Sequence, residues 1–222
     1  MSDLHSSFRL LAIDTTGDNG SIALVTVSGV VEEVELCSPD GFAHVLIDEI
    51  DRLLAKHGLE LGQLDGIAVT SGPGSFTGVR VGLTAAKGLA EATGRKVAAI
   101  SNMEVLASFG SHRLRAAVMD ARRGEIYGAV YDADLKAVQP EIVMKLGDWR
   151  KTVPAHAEFV TQGASLAESL MGTSVVQAPL AIAGALGKIG IKRFQAGLAQ
   201  DPADVDANYV RRSDAELFWK ED

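Results

Sequence analysis

Gly66-Ile67-Ala68-Val69-Thr70-Ser71-Gly72-Pro73-Gly74-Ser75-Phe76-Thr77-Gly78-Val79-Arg80-Val81-Gly82-Leu83 decides how this chain is built. The first five residues are an apolar run of strand length, Gly72-Pro73-Gly74 is a turn, and helical spacing follows to about Thr93. Lys96 to Ile100 is a second short apolar run, so the stretch reads strand, turn, helix, strand. Such a turn can seat an anion on helix amides, but the residues do not match either common phosphate loop. A P-loop needs Gly-Lys-Ser/Thr where Gly78 is followed by Val79-Arg80, and Thr77 stands where the dinucleotide pattern needs its third glycine. Ser75 as the N-cap after a Gly-Pro-Gly turn accounts for the same residues without a ligand.

The helix is unusually rich in glycine. Gly78, Gly82 and Gly88 each cost it roughly 0.8–1 kcal/mol relative to alanine, so packing must compensate. At 100° per residue, Gly78, Gly82, Ala85 and Ala86 fall on a face suited to close backbone approach. Phe76, Val79, Leu83 and Ala90 fall on a second face bordered by Arg80 and Lys87, and only the sector near Thr84 and Glu91 is polar. A helix apolar over most of its circumference is buried on more than one side. One side is the chain's own sheet; the other is either a second lobe of the chain or a separate subunit, and a charged border is the rim an interface keeps.

On the N-terminal side, Leu10–Ile13 ending in Asp14, Ile22–Val27 and Val30–Cys37 read as consecutive antiparallel strands, with turns at Thr15–Gly20 and Ser28-Gly29. Asp40-Gly41 opens a helix, with Asp40 as N-cap and Phe42, Val45, Leu46, Ile50, Leu53 and Leu54 as its apolar stripe, stopping at Gly58. His44 projects away from that stripe. The first half is therefore β-β-β-α-β-α-β, a mixed sheet with helices packed on it.

The second half opens the same way. Ala116-Ala117-Val118-Met119-Asp120 echoes Leu10–Asp14, Ala121–Gly124 is the matching turn, and Ile126–Tyr131 and Val138–Met144 are the matching strands. A repeated unit of this kind predicts duplication of one lobe, with the lobes at 1–102 and 103–222. Beyond Asp148 the pattern supports a strand at Phe159–Thr161 and a helix near Leu180–Gln195.

Composition narrows the function. The chain has 222 residues, and 21 Lys and Arg against 29 Asp and Glu give a net charge of −8, the wrong sign for a protein that grips nucleic acid over a broad face. The Arg122-Arg123 and Arg211-Arg212 pairs are too short to act as basic arms. Cys37 is the single cysteine, so neither an intrachain disulfide nor a thiolate metal site is expected. Met1–Ser7 has no secretory pattern, and no apolar run reaches the roughly 18 residues of a membrane span, so a cytoplasmic protein is expected.

With Leu11-Ala12-Ile13-Asp14-Thr15-Thr16, Ser71 through Gly82, Ala86–Ala90, Met119–Tyr127 and Tyr209-Val210-Arg211, the chain resembles the TsaB (YeaZ) family over residues 8 to 212. It departs at Ala207, where proline is expected. The resemblance implies an α/β actin-like, RNase H-like (ASKHA) fold of two related lobes. It also implies a non-catalytic scaffold subunit in tRNA threonylcarbamoyladenosine modification, without cofactor or metal. Its implied partners are a TsaD-type transferase and a TsaE-type ATPase, with self-association as a homodimer when isolated and tRNA met mainly through the partners. It places the interface on the first two helices, at Phe42, Leu46, Phe76, Val79, Arg80, Leu83 and Lys87, with Gly72, Pro73, Gly74, Ser75, Gly78 and Gly82 shaping the turn and the close packing. Catalytic relatives carry two histidines one helical turn apart, whereas Asn102 and Leu106 stand at the matching positions here. The alternative function is an enzyme in its own right: an actin-like kinase with Asp14 and the Thr15–Gly20 turn on phosphate, or a metalloprotease.

Overall fold

The apolar run near the N-terminus becomes the central strand of a five-stranded sheet. In the computed structural model, which describes residues 8–211, β1 (Arg9–Asp14) pairs antiparallel with β2 (Gly20–Thr26), and β2 with β3 (Gly29–Leu36). On its other side β1 runs parallel to β4 (Gly66–Thr70), and β4 to β5 (Val97–Ile100), giving the order β3-β2-β1-β4-β5. Side chains alternate across a strand. Leu11, Ile13, Ile67 and Val69 therefore share one core with α1 (Leu46–Lys56) and α2 (Phe76–Thr93).

The first helix differs from the expectation. Gly41 sits at φ 92°, Phe42–His44 form a single 3-10 turn, and α1 starts only after Val45, so Asp40 is not its N-cap. The detour brings the Phe42 ring against Gly20, where a Cβ would meet it at 2.9 Å. α2 matches its expected span and ends on Gly94 at φ 65°, a left-handed stop that glycine adopts without strain. A further short helix, α3 (Asn102–Ala107), has no sequence-based expectation behind it.

The second sheet repeats the first. β6 (Leu114–Asp120), β7 (Ile126–Asp132) and β8 (Ala137–Met144) are antiparallel neighbours. β6 runs parallel to β9 (Glu158–Thr161), and β9 to β10 (Val175–Gln177). The order β8-β7-β6-β9-β10 reproduces β3-β2-β1-β4-β5 strand for strand, as the Asp14/Asp120 echo predicts. Its helices are stubs: α4 (Leu146–Trp149) stands where α1 stands in the first sheet, and α5 (Ala164–Ser169) where α2 does. Trp149 takes up the missing volume. It is 2 % exposed, lies over Gly128, where a Cβ would meet the indole at 2.5 Å, and meets Phe159 edge-on at 6.0 Å.

The chain then returns to the first sheet. α6 (Ala183–Gln195) covers the face that carries Leu10, Ala12 and Ala68. Gly184, Gly187 and Gly190 lie along its contact side, and a Cβ on Gly190 would reach Leu10 at 2.7 Å. The compact units are accordingly 8–105 with 179–207, and 106–178 with 208–211, rather than halves cut at 102/103. Arg212, the partner of Arg211 in the sequence-derived basic pair, lies outside the described residues.

Candidate docking face

The helix α2 is fixed at its N-terminus by the β1–β2 turn. The Ser75 amide donates to the Thr16 carbonyl at 2.7 Å, the Thr15 hydroxyl donates to the Gly78 carbonyl at 2.7 Å, and Ser75 Oγ accepts from the Gly78 amide. A Cβ on Gly78 would collide with the Thr15 carbonyl, and one on Gly82 would lie 2.6 Å from the Thr15 hydroxyl. A Cβ on Gly74 would likewise lie 2.6 Å from the Thr16 carbonyl, and the Gly72-Pro73 peptide is cis. The Thr15 and Thr16 carbonyls therefore lie against this helix entry.

Asp14 closes β1 beneath the same turn. It is buried, and its Oδ1 accepts from the Thr16 amide (3.2 Å), the Thr16 hydroxyl (2.7 Å) and the Thr70 hydroxyl (2.7 Å). Burial pushes its carboxyl up, and these hydrogen bonds only partly offset that. Asn102 is buried too and donates its side-chain amide to the Thr16 hydroxyl, while Leu106 belongs to the apolar interior. This is a turn cap tied to two strands and a helix, with its acceptor atom committed to three donors.

Not all seven residues of the sequence-derived interface face outward. Phe42, Leu46 (1 % exposed), Val79 (3 %) and Leu83 (6 %) sit in the first core. The helical wheel groups Val79 and Leu83 with Phe76, but both are buried in the cluster that also holds Ile13, Leu46, Val69 and Val205. Lys87 is spoken for as well, donating to the Val205 carbonyl at 2.8 Å. Phe76 (49 % exposed) and Arg80 are on the surface, the guanidinium 3.5 Å above the ring.

Around them runs an apolar groove of about 510 Å³ along the starts of α1 and α2, lined by Leu46, Ile47, Phe76, Arg80, Val81 and Ala85 among others, so that Leu46, though buried, does border the expected face. Ile47 is 53 % exposed. Sequence reasoning missed Ile47 because it lies off the apolar stripe of α1, and that displacement was the available signal. Further along α2, Gly88 is exposed with nothing within 4 Å of a built Cβ, so no contact among the described residues requires a glycine there.

Two sheets of one mixed topology, each with helices at the same points of the chain, define the actin-like, RNase H-like class of proteins. The model of the family TsaD, tRNA N6-adenosine threonylcarbamoyltransferase, matches residues 38–195. The tRNA threonylcarbamoyladenosine biosynthesis protein TsaB of Bacillus subtilis is 29 % identical, over 96 % of this chain and 98 % of its own length. The protein of the same name from Escherichia coli is 34 % identical over 62 % of each chain. Among solved structures, YeaZ from Pseudomonas aeruginosa superposes with a TM-score of 0.78 at 26 % identity, over 91 % of this chain and 99 % of that one. The chain belongs to the TsaD family and, within it, to the TsaB (YeaZ) group. No helix among the described residues is long and apolar enough to cross a membrane.

Proposed function

We propose that this chain is a non-catalytic docking subunit of the machinery that makes threonylcarbamoyladenosine in tRNA, and that it binds a TsaD-type transferase through the groove on α1 and α2. The observation that carries the reading is the solvent-facing Ile47 and Phe76 pair lining one apolar groove. Large apolar side chains rimmed by polar ones mark protein-binding surfaces. Gly88 adds to it: an exposed helical glycine that costs about 0.8–1 kcal/mol is accounted for if another helix backbone lies against it. The same face would serve self-association when the partner is absent. A TsaE-type ATPase would join the assembled pair, and tRNA would be held mainly by the partners.

The non-catalytic part of the reading is supported by the turn at Asp14. A kinase of this fold class would need that turn to present donors to phosphate. Here the Thr16 amide of that turn is spent on Asp14, and the Thr16 carbonyl, an acceptor, is turned to the Ser75 amide at the start of α2. Calorimetry of the isolated chain with ATP and magnesium should show no micromolar binding, and binding in that range would restore the kinase.

The docking test uses the exposed residues. Ile47→Asp and Phe76→Asp should each weaken binding to the TsaD-type protein of the same organism by about tenfold or more, without lowering the melting temperature. Unchanged affinity in both would sink this reading. Leu83→Arg is unsuitable, because it places a charge in the core.

A further inference from the structure

The second unit holds a pocket of about 600 Å³ that the docking reading does not use, within the roughly 300–1,000 Å³ range of small-ligand sites. His112, Arg150 and His156 stand around it, Thr173 and Ser174 lie on one side, and the buried ring of Phe159 contributes to the floor. Among the described residues, Arg150 is the one in the lining with a fixed charge. Nη1 of Arg150 donates to the Ser169 carbonyl at 3.3 Å, and no carboxylate among the described residues meets that guanidinium. Asp148, two residues away, is paired with Lys151 at 2.8 Å.

One carboxylate, Glu158, lies under the pocket, and it is turned into the protein. It accepts from the Ser111 amide (2.6 Å), the His112 amide (3.2 Å) and the Ser111 hydroxyl (3.3 Å), and so pins the turn that carries His112. The His112 Nε2 stands 3.6 Å from its Oε1. Its negative charge is thus spread over backbone donors and the His112 ring, the Thr173 hydroxyl donates to the Leu170 carbonyl at 2.6 Å, and Arg150, His156 and Ser174 are the other polar residues of the lining. The units also differ in charge. Over the described residues, 10 Lys and Arg face 16 Asp and Glu in the first, and 9 face 8 in the second.

We propose that this pocket binds a phosphate group, carried either on an RNA strand or on a free nucleotide. Phosphate oxygens accept from a guanidinium, from an imidazole N–H and from the Ser174 hydroxyl, and the guanidinium is the side chain best matched to them. The site would give the chain a direct if modest hold on nucleic acid, separate from the groove on the first unit. It does not rest on the docking reading, and its failure would leave that reading untouched.

The test is a titration of the full chain at low ionic strength with a fluorescein-labelled single-stranded RNA and, separately, with adenosine monophosphate. The expected result is binding of at least one probe, with amide resonances of Thr173 and Ser174 shifting on addition. The double variant Arg150→Gln, His156→Gln should weaken that binding by about tenfold or more. Arg52→Gln, on the exposed surface of the first unit, should leave it unchanged. RNA binding alone assigns the phosphate to a strand, and binding of both probes assigns it to the group itself. No binding by the unaltered chain, or equal affinity in the double variant with unshifted Thr173 and Ser174, overturns the proposal.

Discussion

Asp14 and Asp120 end the first strands of two sheets with the same strand order, and their fates are opposite. Asp14 is sealed under its turn with three donors on one oxygen. Asp120 is exposed, accepts from the Arg122 amide at 2.8 Å, and is followed by Arg122, Arg123 and Gly124, all with left-handed φ of 64°, 58° and 75°. The difference traces to the helices. α2 runs 18 residues and its glycines let it lie on the first turn, whereas α4 and α5 run four and six. A duplicated frame thus carries a long helix in one copy, welded at its start and open on its outer face, and almost no helix in the other.

The largest effect that could break this comparison lies in the second lobe. If Trp149 replaces the missing helices, Trp149→Ala should cost about 3–5 kcal/mol in urea unfolding. A loss under about 1 kcal/mol would mean the lobe is held by something else. Next come two glycines of one helix. Gly78→Ala drives a methyl into the Thr15 carbonyl and should lose about 1–3 kcal/mol, while Gly88→Ala should gain about 0.8–1 kcal/mol in the isolated chain. Equal effects would contradict the welded-end, open-face account. The aspartates follow. Asp14→Ala strands buried hydroxyls and should cost about 1–3 kcal/mol, against under about 0.5 kcal/mol for Asp120→Ala.

The subtlest expectation concerns pH and contrasts the buried carboxylates of the two lobes. Burial raises Asp14, whose donors include two hydroxyls. At Glu158 burial acts in the same direction, but the Ser111 and His112 amides, the His112 charge and the Ser111 hydroxyl together outweigh it and hold the carboxyl below its ordinary value. The stability Asp14 contributes is fully present below its unfolded pKa and is lost as pH rises through its raised folded value. For Glu158 it is present above the unfolded pKa and is lost as pH falls through its lowered folded value. Chemical denaturation from pH 3 to 7, taken as roughly spanning the carboxylate range, should show the unaltered chain gaining on Asp14→Asn, and losing ground to Glu158→Gln, as the solution is acidified. The same slope in both differences would refute the contrast.

Much of this was legible beforehand for local reasons. Apolar runs closed by Asp, Gly or Pro gave nine of the ten strands, and the Asp14/Asp120 echo gave the duplication that the matching strand orders display. β10, α3, α4 and α5 were not legible, being three to six residues long, too short to carry a period. The return of α6 to the first sheet was missed because Gly184, Gly187 and Gly190 signal close approach without saying to which sheet. At the candidate site the helix was found but its orientation was not. Periodicity groups Phe76 with Val79 and Leu83, while only tertiary packing reveals that the latter two are buried in the first core. That left Ile47 unread and Lys87 misread.

The central claim is that the open face of α2 is where the partner sits. Its most direct test puts the photo-reactive p-benzoylphenylalanine at Phe76 or, as control, at the exposed Met171 of the second lobe, and irradiates each chain with the TsaD-type protein. A covalent adduct from position 76 and none from position 171 is the predicted result. An adduct from position 171 alone would contradict it.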